Sequence, residues 1–533
     1  MIRPLARGAC LGAALTCACA GSRSVSTPRG RWILVATRRQ TFILQLSGPP
    51  DRLDSDLVLS SDSAPVGAFG QAELSQPITP GKARRVRVAA DVRPHNVRAS
   101  AGLWVRADGD GRPILTEYAA IPARGSSGWQ RQETGLVIPD SATAITYGVL
   151  LQGPGTVLMR HLTRVLTDIP SADAPLSPDA RREVDSALTL AKTYALWRDT
   201  ISWSTVDARV RRAAAGAQSV ADVHPALRLL SRSLGDGHSS FYTPHDMQVF
   251  RSAANTPVID VHLEERDIGN IYLSGYLAED IDSARAYDER MHAAIDRVMP
   301  AAACGWIVDL RGNRGGVPEP MLVAIEPFVS RDSLPPVERE GIAAWFGQRS
   351  PMIRPALEKS YVALLIAAQT GSAGERTVLF LQRRAHTRTF GSPTAGATTR
   401  RSMFILPDGA AIGIATAPMR QGSSREMAGC IVPDEILPSD GTSGDPVLRA
   451  AARWLRGSLC AGQPGRSSSL VVRSSAAQRR SSMRARTLSS ESRNSASQSS
   501  WSGMRAMTWG SPMKRTPRAA RSLAVAWMSW TRK

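Results

Sequence analysis

The sequence predicts an α/β catalytic region with a helical lead-in, preceded by an all-β sandwich of jelly-roll type. Three observations predict it. Short alternating or apolar segments separated by Gly, Pro, Asp and Asn turns fill residues 66–167, among them ARRVRVAADVRP, SAGLWVRADG and ITYGVLLQGPGTVLMRHL, the pattern of a small sandwich. From Ser177 onward, apolar residues recur at Val184, Leu188, Ala191 and Leu196 with helical spacing. Beyond that, the stretch at 306–310, apolar but for Asp309, and the apolar run at 362–366 are each followed by a glycine-rich break and a helical stretch, as strands buried on both faces of a parallel sheet are.

In chain order, residues 1–20 have the pattern of a secretion signal: Arg3 and Arg7 in front, an apolar run over 9–18, then small residues. The run is too short to span a bilayer. A lipid anchor at Cys19 and simple cleavage after Ala18 or Ala20 both fit, and either takes the protein out of the cytoplasm, to the periplasm or outer envelope. The sandwich is placed at 50–168, and Trp104, Tyr118 and Trp129 in it are candidates for a face that binds envelope glycan or for plain core packing. A Pro- and Ser-rich linker over 169–178 leads to a helical subdomain at 177–233, and the catalytic core is placed at 234–460.

Residues 461–533 hold fourteen Lys or Arg against the single acid Glu491, so +13 of the +20 net charge sits there and +7 in the rest. With few apolar residues spaced to bury anything, this stretch is expected to be a disordered basic tail. Such a tail can bind anionic polymers, but nucleic acid is no partner for an exported protein, and out-of-frame translation gives the same Ser/Arg/Trp mixture. Three cysteines lie in the signal. Cys304, Cys430 and Cys460 remain at no metal-ligand spacing, and both a Cys304–Cys430 bridge and buried free thiols stay open. No Walker loop, dinucleotide glycine pattern or HExxH helix occurs, so neither cofactor nor metal is expected.

Three stretches carry chemistry. In YVALLIAAQTGSAGERTVLFLQRR, a buried strand runs through a small-residue turn into a helix over 375–384, presenting Ser372 where free N–H groups can stabilise a reacting oxygen. GWIVDLRGNRGG ends a second strand on Gly315 and Gly316, which turn the backbone sharply and expose N–H groups. LGDGHSSFYTP puts His238 in a glycine-flanked loop. Nucleophile, base and oxyanion donors are the parts an acyl-transfer site needs.

LGDGHSSF, GWIVDLRGNRGG, TGSAGE, TAGATT and EMAGCIVPD, in that order, resemble the C-terminal-processing and tricorn family of serine peptidases across about half the chain. The resemblance implies a crotonase/ClpP-like spiral core, polypeptide substrates and Ser372 as nucleophile. The processing branch uses a lysine one strand after the serine; TAGATT at 394–399 has none, and Lys359 precedes the serine. Too few residues separate Pro244 and Ile271 for an inserted PDZ module. The tricorn-like branch is therefore implied, with His238 as base, Glu426 as the acid that orients it, and the N–H groups of Ala373 and of Gly315 or Gly316 as oxyanion donors. That branch carries a serine just before the histidine, where this chain has Gly237. The expected activity is that of an exported serine endopeptidase; the alternative is a non-catalytic peptide or glycan binder on the same fold.

Overall fold

The computed structural model describes residues 30–460 apart from 38, 53–54, 65–67, 252–256, 258, 278–279, 330–335, 348–353, 422–424, 428 and 438–444. The signal with Cys19 and the basic tail therefore lie outside the described residues, as does the side chain of Glu426, although the backbone of its short strand is described.

Two antiparallel sheets make the sandwich. One orders Ile33–Ala36, Phe69–Pro77, Ala144–Gln152, Val97–Gly109 and Arg112–Tyr118, with Ala123–Gly125 paired to Val97–Gly109; the other orders Ile43–Leu46, Leu57–Ser61, Gly155–Asp168, Arg84–His95 and Gln130–Ile138. Side chains alternate across a strand, so Val86, Val88, Ala90 and Val92 all enter one core with Leu59, Leu103, Val105 and Tyr147. The domain begins at Ile33, earlier than the expected residue 50, because two four-residue strands at the start of the domain complete the sheets.

The helical lead-in is Pro178–Tyr194, Trp203–Ala214 and Val220–Ser233. Ser177 caps the first of them by accepting a hydrogen bond from the Ala180 N–H at 3.3 Å. Small residues on facing sides (Ala180, Ala187, Ala191, Ala213, Ala226) let these helices pack closely, and their shared core takes in Phe241, Ile412 and Ile414.

The catalytic region contains a sheet ordered Asp260–Glu264, Ile268–Tyr272, Trp306–Asp309, Val362–Ile366, Thr387–Gly391 and Glu435–Ile436; the first pair is antiparallel and the rest are parallel. Every residue of Ile268–Tyr272 and Val362–Ile366 is buried, as two-sided coverage requires. Ile281–Val298, Pro318–Ala324 and Ala373–Leu381 cover one face, and Pro446–Leu455 the other. The predicted hairpin forms as Thr399–Ile405 and Ala411–Gln421, which share a second antiparallel sheet with Ser240–Tyr242. The α/β core, the helical lead-in and the preceding sandwich are thus all present. Because the central strands are parallel, the turns after 309, 366 and 391 gather at one edge of the sheet, where ligands of open α/β sheets bind.

Cys304 and Cys430 are both disulfide-bonded. Cys304 sits just before the strand Trp306–Asp309, and the Cys430 backbone lies beside Gly396. Among the described residues no helix is long and apolar enough to cross a membrane, and no cluster of side chains is built to hold a metal.

Candidate active site

The turn after Val362–Ile366 holds Ser372 at φ 54° and ψ −119°. An L-residue reaches that conformation only when its surroundings enforce it. Here the turn is tied on both sides. The Thr370 hydroxyl donates to the Leu310 carbonyl (2.9 Å), the Gly371 N–H to the Asn313 carbonyl (2.9 Å), and the Ser372 N–H to Glu375 Oε2 (2.9 Å). The helix starts at Ala373, two residues earlier than expected, and Glu375 in its first turn reaches back to the Ser372 N–H.

The Ser372 hydroxyl lies 2.8 Å from His238 Nε2. The histidine loop is rigid for a local reason: Asp236 Oδ1 accepts from the N–H groups of His238 (2.7 Å) and Ser239 (2.6 Å), and Oδ2 from the Ser239 hydroxyl (2.7 Å). Ser239 Oγ in turn accepts from the Ala415 N–H at 3.0 Å, fastening the loop to the hairpin. Nδ1 of the ring is 2.7 Å from Thr399 Oγ1. With the proton on Nδ1, toward Thr399, Nε2 is the acceptor facing serine.

Among the described residues, the side chain that stands on Nδ1 is a threonine. Glu426 pairs through its strand with Arg420, and its side chain lies outside the described residues. Burial first, and the Arg401 guanidinium second, lower the His238 pKa to about 3. Arg401 itself donates to Ser240 Oγ (2.8 Å) and Tyr242 Oη (2.6 Å).

Gly315 packs directly on Ser372. At φ +93°, a Cβ added there would fall 2.7 Å from Ser372 Cβ and 3.0 Å from the Ala373 nitrogen. Its own N–H, however, donates to Asn313 Oδ1 at 2.9 Å, so Gly315 is corrected from oxyanion donor to spacer. Among the described residues the N–H groups of Gly316 and Ala373 have no protein acceptor. Lys359 is exposed at the start of the serine strand, the end opposite Ser372.

Chemically, the arrangement offers a hydroxyl, a neutral imidazole in hydrogen-bond contact with it, and uncommitted backbone donors at a helix N-terminus. Residues 267–437 match the description "Peptidase family S41". The chain carries a peptidase S41 domain. Over 297 residues the chain is 22% identical to the nisin-resistance protein of Lactococcus lactis subsp. lactis, an alignment covering 53% of this chain and 89% of that protein. It is 27% identical over 189 residues to a carboxyl-terminal-processing protease of Picosynechococcus sp., covering 35% and 44%. Among solved structures, a lipoprotein from Streptococcus agalactiae aligns with a TM-score of 0.45 at 20% identity, over 53% of this chain and 98% of that one. The S41 family is one of serine peptidases, so polypeptide substrates follow from it.

Ser372, the double glycine, Ala373 and Glu426 lie inside the S41 match, and His238 lies upstream of it. Ser372 and His238 are brought together from 134 residues apart. Sequence reasoning missed Thr399, Asn313 and Glu375. Glu375, in the first turn of the serine helix, is fully buried and accepts from Thr394 Oγ1 (2.5 Å) and Gly396 N (2.8 Å) as well as from Ser372 N. Desolvation pushes its carboxyl up to about 7 against those donors. The aromatic trio of the sandwich is split: Trp104 is 0% exposed, the Trp129 ring is covered by Arg160 at 4.0 Å, and Tyr118 is exposed.

Proposed function

We propose that this protein is an exported serine endopeptidase working through a Ser372–His238 pair. The 2.8 Å contact between Ser372 Oγ and His238 Nε2, with the serine on a strained turn, carries this reading. Ser372 Oγ attacks the scissile carbonyl carbon as His238 Nε2 takes its proton. The N–H groups of Gly316 and Ala373 receive the developing oxyanion, and the imidazolium returns the proton to the leaving amine nitrogen. Water, deprotonated by the same ring, then releases the acyl group and regenerates Ser372. Thr399 keeps the ring in register.

Export is supported by the amino-terminal pattern and by the disulfide-bonded state of Cys304 and Cys430, since such bonds persist in oxidising compartments. Anchoring at Cys19 remains one way of retaining the protein at the envelope. A fluorophosphonate probe tests the core of the reading. Wild type should be labelled, Ser372→Ala not at all and His238→Ala far more slowly, and mass analysis of a digested unstructured polypeptide should show internal cleavages. Labelling that persists in folded Ser372→Ala would sink the assignment.

A further inference from the structure

The sandwich, expected to be an accessory module, touches the catalytic machinery at two places. Gln152 closes the strand Ala144–Gln152 and is 1% exposed. Its register partner on the neighbouring strand is Ser100, whose hydroxyl donates to Gln152 Oε1 at 3.1 Å. That bond holds the amide in place, and Gln152 Nε2 donates to Gln369 Oε1, three residues before Ser372. Gln369 stands in the turn that sets Ser372 and the Ala373 N–H.

The second place is the double-glycine loop. Arg124, on the strand Ala123–Gly125, is 2% exposed and donates through Nη1 to the Gly275 carbonyl at 2.6 Å. Gly275 is in backbone contact with the loop: a Cβ there would fall 2.0 Å from the Gly315 carbonyl oxygen and 3.1 Å from Asn313 Oδ1. Nearby, Ala99 packs on Tyr272, and the same Ala99 and Tyr272 bound Gly312. Arg98 pairs with Asp260, tying the same sandwich strand to the edge of the catalytic sheet.

These contacts reach the two backbone segments that together make the proposed oxyanion site. We infer that Gln152 and Arg124 of the β-sandwich are positioning residues for the peptidase centre, setting the nucleophile turn and the double-glycine loop at working separation. The sandwich is then part of the active-site scaffold rather than a separate binding module. Burying an arginine against a single carbonyl and an amide against another amide costs desolvation, which is repaid only where geometry is held. Oxyanion donors demand that: a misplacement of about 1 Å costs on the order of 10²-fold in rate.

The inference rests on the Ser372 reading above, and the experiment separates the two. In the full chain, Gln152→Ala, Gln369→Ala and Arg124→Met are compared with wild type for kcat, KM, fluorophosphonate labelling rate and melting temperature. Trp129→Ala, on a part of the sandwich with no contact to the site, is the control for stability alone. Expected is a fall of roughly 10- to 100-fold in both kcat and labelling rate for Gln152→Ala and Arg124→Met, with KM within about threefold and Trp129→Ala losing only thermal stability. Gln152→Ala with Gln369→Ala should be no worse than Gln152→Ala alone, because Gln369→Ala breaks a contact that Gln152→Ala has already removed. Folded variants with kcat within twofold of wild type overturn the inference while leaving Ser372 in place. If Gln152→Ala fails to fold, Gln369→Ala, altered on the half-buried turn, decides: unchanged kcat there overturns the inference as well. Absence of labelling in wild type overturns the serine reading and this inference with it.

Discussion

Replacing Thr399 by valine tests whether a neutral hydroxyl does the orienting work at the imidazole. The side chain keeps its branched shape and loses only the oxygen that stands 2.7 Å from His238 Nδ1. His238 is 8% exposed, so water does not readily replace that oxygen. A buried donor left without its partner costs about 1–3 kcal/mol. At ~1.4 kcal/mol per tenfold, the productive orientation of the ring should fall roughly 5- to 150-fold, and kcat with it. KM should change little, since Thr399 lies behind the ring. Thr399→Ser keeps the hydroxyl and should retain most of the activity. The assay is hydrolysis of an unstructured polypeptide, with labelling rate and melting temperature followed in parallel. A folded Thr399→Val with kcat within twofold of wild type would refute the argument and return the orienting role to Glu426.

Burial and Arg401 favour the neutral ring, so the acid limb of kcat/KM should lie well below the usual histidine value of 6.5, toward the lowered value of about 3; a limb at or above 6.5 in folded enzyme contradicts the burial seen here. The sign for stability follows from the same shift. The unfolded chain takes up the proton first, so the stabilisation is complete above pH 6.5 and is lost as pH falls toward 3, which an acid titration of His238→Ala against wild type should show. Lys359→Ala should leave kcat unchanged, because the side chain is exposed at the far end of the serine strand; abolished turnover in a folded variant would restore a lysine base. Gly315→Ala should remain folded enough to assay and lose at least about 10²-fold in kcat, since its Cβ meets Ser372 Cβ at 2.7 Å; near-normal turnover would show that the loop tolerates displacement.

The parts of the site that were legible in the sequence are those made locally. A buried strand, a small-residue turn and a helix announce an exposed serine; paired glycines announce a backbone turn; a glycine-flanked histidine announces a fixed loop. The parts that were not legible are made across the chain. Thr399 reaches His238 over 161 residues, and nothing in the stretch TAGATT marks one threonine above the other. Gln152 and Gln369 are 217 residues apart and in different domains. Asn313 sits within the glycine-rich motif, but that its side chain captures the Gly315 N–H depends on the turn being formed. The first two sandwich strands escaped because four residues are too few to show alternation, and their burial comes only from pairing with Phe69–Pro77 and Leu57–Ser61.

In the proposed cycle a threonine stands on Nδ1, and its hydroxyl does not itself compensate the charge of the ring. Once Nε2 takes the serine proton, the imidazolium stands in a desolvated site with the Arg401 guanidinium among its neighbours; among the described residues no carboxylate is hydrogen-bonded to it. What can offset that charge is the oxyanion formed in the same step, stabilised by the Gly316 and Ala373 N–H groups. Proton transfer and carbonyl attack are then mutually dependent, since neither product is stable without the other. Residues acting as one unit give non-additive losses. Gly315→Ala, which displaces the donor loop, and His238→Ala should therefore combine to little more than the larger single loss. If their effects on kcat instead multiply, the base and the oxyanion site act independently, and a carboxylate must be compensating the ring.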